Sequence, residues 1–108
     1  MTQFDNREKA FESKYAHDQE LQFKVMARRN KLLGLWAAGE MGLTGDAAAQ
    51  YAIEVVKSDF QEAGDDDVYR KVKADLDAKQ VSVSEHRIRK EMDDLMAVAK
   101  HQIASEVA

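Results

Sequence analysis

The chain has 108 residues, 44% of them hydrophobic and 33% charged, with a formal net charge of −4 and neither cysteine nor proline. That length allows one modest hydrophobic core, the missing thiols exclude a disulfide framework, a thiolate metal site and a cysteine nucleophile, and the acidic balance argues against a general nucleic-acid binder. No apolar run approaches the roughly 18 residues that a membrane-spanning helix needs, and the first twenty residues, MTQFDNREKAFESKYAHDQE, are too acidic for a signal or transit peptide.

Those twenty residues carry three large apolar side chains, Phe4, Phe11 and Tyr15, spaced by seven and then four and so near one helix face. Around them lie Asp5, Arg7, Glu8, Lys9, Glu12, Lys14, Asp18 and Glu20, with His17 the one group that titrates near neutrality. Full burial of an aromatic ring is worth about 1.5–3 kcal/mol, whereas ordering backbone costs about 1–2 kcal/mol per residue. Three rings do not hold such an arm unless a surface receives them, and the expected surface is a partner's.

The period of an apolar helix face continues through Leu21, Val25, Met26, Leu32, Leu33 and Trp36, giving a first helix from about Asn6 to Gly42, in one piece or two. Gly42 is a natural stop, because glycine reaches the left-handed conformation that closes a helix. Gly34 and Gly39 fall inside the helix at about 1 kcal/mol each relative to alanine, a cost that close packing would explain. Thr44 is the expected N-cap of a second helix with the stripe Ala48, Tyr51, Ala52, Val55, Val56 and Phe60, ended by Gly64. Asp65, Asp66 and Asp67 open a third, where carboxylates suit the free N–H groups and the positive dipole end; its stripe is Val68, Val72 and Leu76. Val81–Val83 alternates with serine but has no partner strand. Ser82 and Glu85 match the capping box of a fourth helix, with Ser84 a competing cap, followed by the stripe Ile88, Met92, Leu95, Ala99 and Ile103. The reading is all-α: a four-helix bundle over residues 21–108, with a mobile N-terminal helical arm over residues 1–20 that is disordered or frayed when free.

Charge is unevenly spread. Residues 21–43 hold Lys24, Arg28, Arg29 and Lys31 against Glu40, while residues 44–67 hold Lys57 against seven acids. A basic and an acidic helix that neutralise each other is the simpler expectation. The sharper one is a phosphate- or nucleotide-binding face, since Lys24, Arg28 and Lys31 recur at i, i+4, i+7 with Arg29 beside them.

Nothing here composes an active site. Gly34, Gly39 and Gly42 follow no strand and precede no Gly-Lys-Ser/Thr. The aspartate triplet lacks the glycine and distal glutamate of a calcium loop. His86 and His101 form no His-Glu-x-x-His pattern, and Trp36, Met92 and Met96 read as core. Neither an enzyme, a metal site nor a cofactor is expected.

Several blocks are nonetheless distinctive: Phe4-Asp5-Asn6-Arg7-Glu8-Lys9-Ala10-Phe11-Glu12, Tyr15-Ala16-His17-Asp18, and Ala27-Arg28-Arg29-Asn30-Lys31-Leu32-Leu33-Gly34-Leu35-Trp36-Ala37-Ala38. With Ala63-Gly64-Asp65-Asp66-Asp67-Val68 and Val83-Ser84-Glu85-His86, they closely resemble the zeta subunit family, inhibitors of the F1Fo ATP synthase of alphaproteobacteria. The resemblance spans nearly the whole chain and departs from the family at Gly39, where a better helix former is expected, and at Gln80, where a glycine is expected to end the third helix. It implies a four-helix bundle whose N-terminal segment enters the F1 head at an interface between α and β subunits near the γ shaft and blocks hydrolysis. Carried onto this chain, that segment is about Thr2 to His17. Phe4, Phe11 and Tyr15 are its expected anchors, and Arg7, Glu8, Lys9, Glu12, Lys14 and His17 its further contacts. The implied protein is a monomer when free, cytoplasmic, and peripheral to the inner membrane through F1. The alternative is a small helical regulator that binds a nucleotide or another phosphate ligand through Lys24, Arg28, Arg29 and Lys31.

Overall fold

The apolar periods are realised as four helices: α1 (Thr2–Glu40), α2 (Gly45–Ser58), α3 (Asp66–Ala78) and α4 (Glu85–Val107). This computed structural model describes the backbone of residues 2–59 and 65–107 and the side chains of residues 19–59 and 65–106. The expectations for Phe60 and Gly64, and for the side chains of Phe4 to His17, lie outside the described residues. No helix is long and apolar enough to cross a membrane among the described residues. The all-α bundle is therefore the fold, with α1 as the spine against which α2 and α4 pack and α3 as the closing helix.

The core joins Leu33, Ala37 and Ala38 of α1 to Tyr51 and Val55 of α2, Val68, Val72 and Leu76 of α3, and Ile88 and Met92 of α4. The stripe expected of α3 is wholly buried, and Ile88, Met92, Ala99 and Ile103 of α4 are buried too, with Leu95 at the margin. On α1 the buried face is rotated from the one read in the sequence. Asn30, Leu33, Gly34, Ala37 and Ala38 lie inside, whereas Leu21, Val25, Met26, Leu32 and Trp36 are half-buried. Trp36 flanks the core, with the Arg87 guanidinium 5.6 Å from its ring centroid.

Small residues win the centre because α2 comes very close. A Cβ placed on Gly34 would stand 2.6 Å from the Ala52 Cα, so only glycine permits this crossing. Gly39 has nothing within 4 Å of such a Cβ, and close packing does not explain it.

Helix ends differ from the sequence reading in their chemistry more than in their place. Thr44 sits at the N-cap of α2 in extended backbone but makes no side-chain capping bond. Asp65 likewise occupies the N-cap of α3 without capping through its carboxylate. At α4 the competing cap prevails over the Ser82–Glu85 box: the Arg87 N–H donates to Ser84 Oγ at 3.1 Å. Gly42 ends the last turn of α1 at φ 78°, as expected of glycine.

Candidate functional site

Helix α1 has 39 residues against 23 in α4, so at about 1.5 Å per residue it outruns its longest neighbour by roughly 24 Å. The two run antiparallel: Arg28 meets Gln102 and Glu106 near the end of α4, and Trp36, eight residues further along α1, lies against Arg87 near the start of α4. Among the described residues, Gln22 and Phe23 are the first on α1 to share a groove with α4, and Arg29 is the first that is buried. Gln19, Glu20, Gln22, Phe23 and Lys24 are exposed. Among the described residues of α1, full burial in the bundle starts at Arg29, and the helix itself runs from Thr2.

At this boundary lies the basic face. Lys24, Arg28 and Lys31 share an open groove of about 560 Å³ with Phe23, Val56, Ile103 and Glu106. Arg28 is committed there: its Nη1 donates to Gln102 Oε1 and its Nη2 to Glu106 Oε1, both at 2.8 Å, and Nη1 lies 2.6 Å from Glu106 Oε2. The hydrogen bond from Arg28 holds the Glu106 carboxyl below its ordinary range, with help from the charges of Arg28, Lys24 and Lys31. Lys24 pairs loosely with Glu20 at 3.8 Å.

Arg29 does not join this face. It is 1% exposed, donates through Nε to Asn30 Oδ1 at 2.7 Å and through Nη2 to Asp65 Oδ1 at 2.8 Å. The aspartate triplet is accordingly employed in a way its sequence did not reveal. Asp65 takes Arg29 from α1, Asp66 takes Arg89 from α4 at 3.0 Å, and Asp67 takes Arg70 from its own helix. Two of the three adjacent carboxylates thereby tie the start of α3 to two other helices, and the third pairs within α3. The charge compensation expected between α1 and α2 runs instead from Arg28 to the end of α4 and from Arg29 to the start of α3.

A second polar cluster joins α2 to α3. Tyr51 Oη donates to Asp75 Oδ2 at 2.9 Å, and Lys71 Nζ lies 3.0 Å from the same oxygen. Burial, then the bond to Asp75, pushes the phenol well above its ordinary range, so Tyr51 stays protonated and acts as a tether. No group of three or more His, Cys, Asp or Glu side chains able to hold a metal occurs among the described residues.

Comparison with known proteins places these features. The sequence model of the family described as ATPase inhibitor subunit zeta matches residues 1–102. A structure described as a solution NMR structure is 55% identical to this chain, with a TM-score of 0.72, and the match covers 80% of this chain and 98% of that one. No curated protein matches the chain.

Proposed function

The chain belongs to the ATPase inhibitor subunit zeta family, a regulatory and non-catalytic role directed at the F1 part of ATP synthase, and from that membership we propose that it inhibits by inserting its N-terminal helix. Residues 1–20 are the inhibitory arm, and residues 21–108 are the bundle that carries it. The arm enters an interface between α and β subunits close to γ. Phe4, Phe11 and Tyr15 anchor it there, and Arg7, Glu8, Lys9, Glu12, Lys14 and His17 make its polar contacts. Through this attachment the protein sits at the membrane periphery without entering the bilayer.

One observation carries the reading: α1 is a single helix from Thr2 to Glu40, yet among the described residues none before Arg29 is more than half-buried. A segment of about sixteen residues in helical form is roughly 24 Å long, enough to reach deep between subunits. Rotary catalysis needs that interface to open and close in each cycle. A helix that binds one state better stabilises it by the difference in affinity, and the cycle stalls without any chemistry by the inhibitor.

The phosphate-ligand alternative has less support, since Arg29 is buried on Asp65 and Arg28 is held by Glu106. The test is to add the purified chain, with a photo-crosslinker at position 11, to F1-ATPase. Inhibition with crosslinks to both α and β is the expected result. Inhibition with crosslinks confined to the outer surface of the head would overturn the insertion reading.

A further inference from the structure

Beside the basic groove, α1 and α2 enclose a second one, of about 650 Å³, that is almost wholly apolar. Its walls come from rows at helical spacing: Lys31 and Leu35 on α1, and Ala49, Ile53, Val56 and Lys57 on α2. Ile53 is 53% exposed and Leu35 38%, both far from the burial that either side chain reaches in a core. Neither residue contributes to the bundle's core cluster. Leu35 on one wall and the Ala49–Ile53–Val56 row on the other make an apolar floor on which a third amphipathic helix can lay its apolar face.

The rim specifies the occupant. Lys31 stands on one wall and Lys57 on the other, and the groove is continuous with the basic one through Lys31 and Val56, which line both. Lys24 extends the positive edge. Glu54, the acid next to Ile53, is turned to Lys71 of α3 at 3.7 Å. We propose that the α1/α2 groove docks an acidic amphipathic helix of the ATPase head, with apolar side chains between Leu35 and Ile53 and carboxylates reaching Lys31 and Lys57. The inference rests on the reading of the chain as an inhibitor of that head. It adds a second point of attachment on the same helix as the arm, so that a head gripping the arm brings its outer surface alongside α1. Two linked contacts raise the local concentration of each for the other, and the gain appears as slower dissociation.

The full-length chain, as wild type, Ile53→Asp, Leu35→Asp and the double variant Lys31→Glu/Lys57→Glu, is tested on immobilised F1-ATPase for association and dissociation rates and for maximal inhibition. Thermal melts accompany each variant, and rates are compared among those that still melt cooperatively. The expected result is dissociation at least tenfold faster for every groove variant, with slower association and weaker salt dependence for the lysine pair, while inhibition at saturation stays at the wild-type level. Wild-type rates in all three folded variants would overturn the groove. So would Ile53→Asp abolishing a concentration-dependent dimer in light scattering while binding the head normally, which would make a second copy the occupant. A wild-type chain that binds the head without inhibiting it, and loses that binding through the groove variants, would leave the groove standing and remove the arm reading instead.

Discussion

Gln80 closes α3 in the backbone conformation with which Gly42 closes α1, at φ 61° against 78°. The bonds correspond one to one: Gly42 N–H to Gly39 at 3.1 Å and Leu43 N–H to Ala38 at 2.8 Å, Gln80 N–H to Asp77 and Val81 N–H to Leu76, both at 2.9 Å. In each case the next residue, Leu43 or Val81, packs against the core, which completes the left-handed helix stop. A side chain in this region costs about 1–2 kcal/mol, partly offset in glycine by its larger unfolded-state entropy. Gln80→Gly is therefore expected to stabilise the chain by about 0.5–1 kcal/mol, a rise of a few degrees in melting temperature. A melt at or below wild type would mean that Gln80 makes a compensating contact.

Gly34 and Gly39 should respond oppositely to the same change. Gly34→Ala drives a Cβ into the Ala52 backbone, which cannot yield as a flexible side chain would, and should cost about 1–3 kcal/mol as overpacking. Gly39→Ala meets open space within a helix and should gain up to about 1 kcal/mol. Chemical denaturation of both variants checks the signs.

This pair shows where sequence reasoning reached and where it stopped. Period and breakers were enough to place four helices and most of the faces of α3 and α4, because one stripe of large residues dominates each. On α1 the large residues misled: the closest approach selects Gly34, Ala37 and Ala38, and pushes Trp36 to the flank, which periodicity of bulk cannot reveal. Three consecutive aspartates suggested caps, since partners supplied from residues 29 and 89 are invisible along the chain. The Ser82–Glu85 box is the first reading of the sequence and Ser84 its competitor, and the observed start at Glu85 decides for Ser84. Residues 1–20 read as a segment too weakly apolar to hold itself, and the surface proposed to receive it lies on another molecule, which the chain's own sequence cannot describe. The α1/α2 groove had no signal, because Leu35 and Ile53 read as ordinary members of helical segments.

Asp65 and Arg29 form a pair whose members are unequally dispensable. The Asp65 side chain is 44% exposed and keeps water if its partner goes. Arg29 is buried, and without Asp65 it retains, among the described residues, the bond to Asn30. Asp65→Ala is expected to cost about 2–3 kcal/mol, in the range for a lost bond to a buried charge. Arg29→Met, which removes that charge and keeps the stem's packing, should cost less than half as much. The reverse order in urea melts would show that Arg29 is better solvated than its burial indicates.

The Arg28–Glu106 contact predicts an acid-sensitive helix end. Glu106 has a lowered folded-state pKa, so its contribution is fully present above the ordinary glutamate value of about 4.3 and is lost as pH falls through the lowered one. Carboxyl NMR shifts should place Glu106 below the ordinary glutamate value, and amide exchange near residues 102–106 should quicken in the same acid range. Arg28→Gln should move Glu106 back toward the ordinary value, with Lys24 and Lys31 still holding it down in part. An unchanged titration would mean that the pair does not form in solution.

The decisive prediction for function concerns the arm. Among the described residues the core cluster begins at Leu33 and draws on all four helices, so deleting Thr2 to His17 should leave a cooperatively melting helical protein that no longer inhibits F1-ATPase. Phe11→Ala with Tyr15→Ala should come close to the same result, because two anchors at about 2 kcal/mol each correspond to roughly a thousandfold in affinity. Lys24→Ala with Arg28→Ala removes only groove cations, one of them already paired with Glu106, and should weaken inhibition far less. Inhibition titrations of the three variants beside their melting curves separate the possibilities. A truncated chain that unfolds would assign the arm to the bundle's own core, and one that folds and inhibits at wild-type concentrations would move the inhibitory surface onto the bundle.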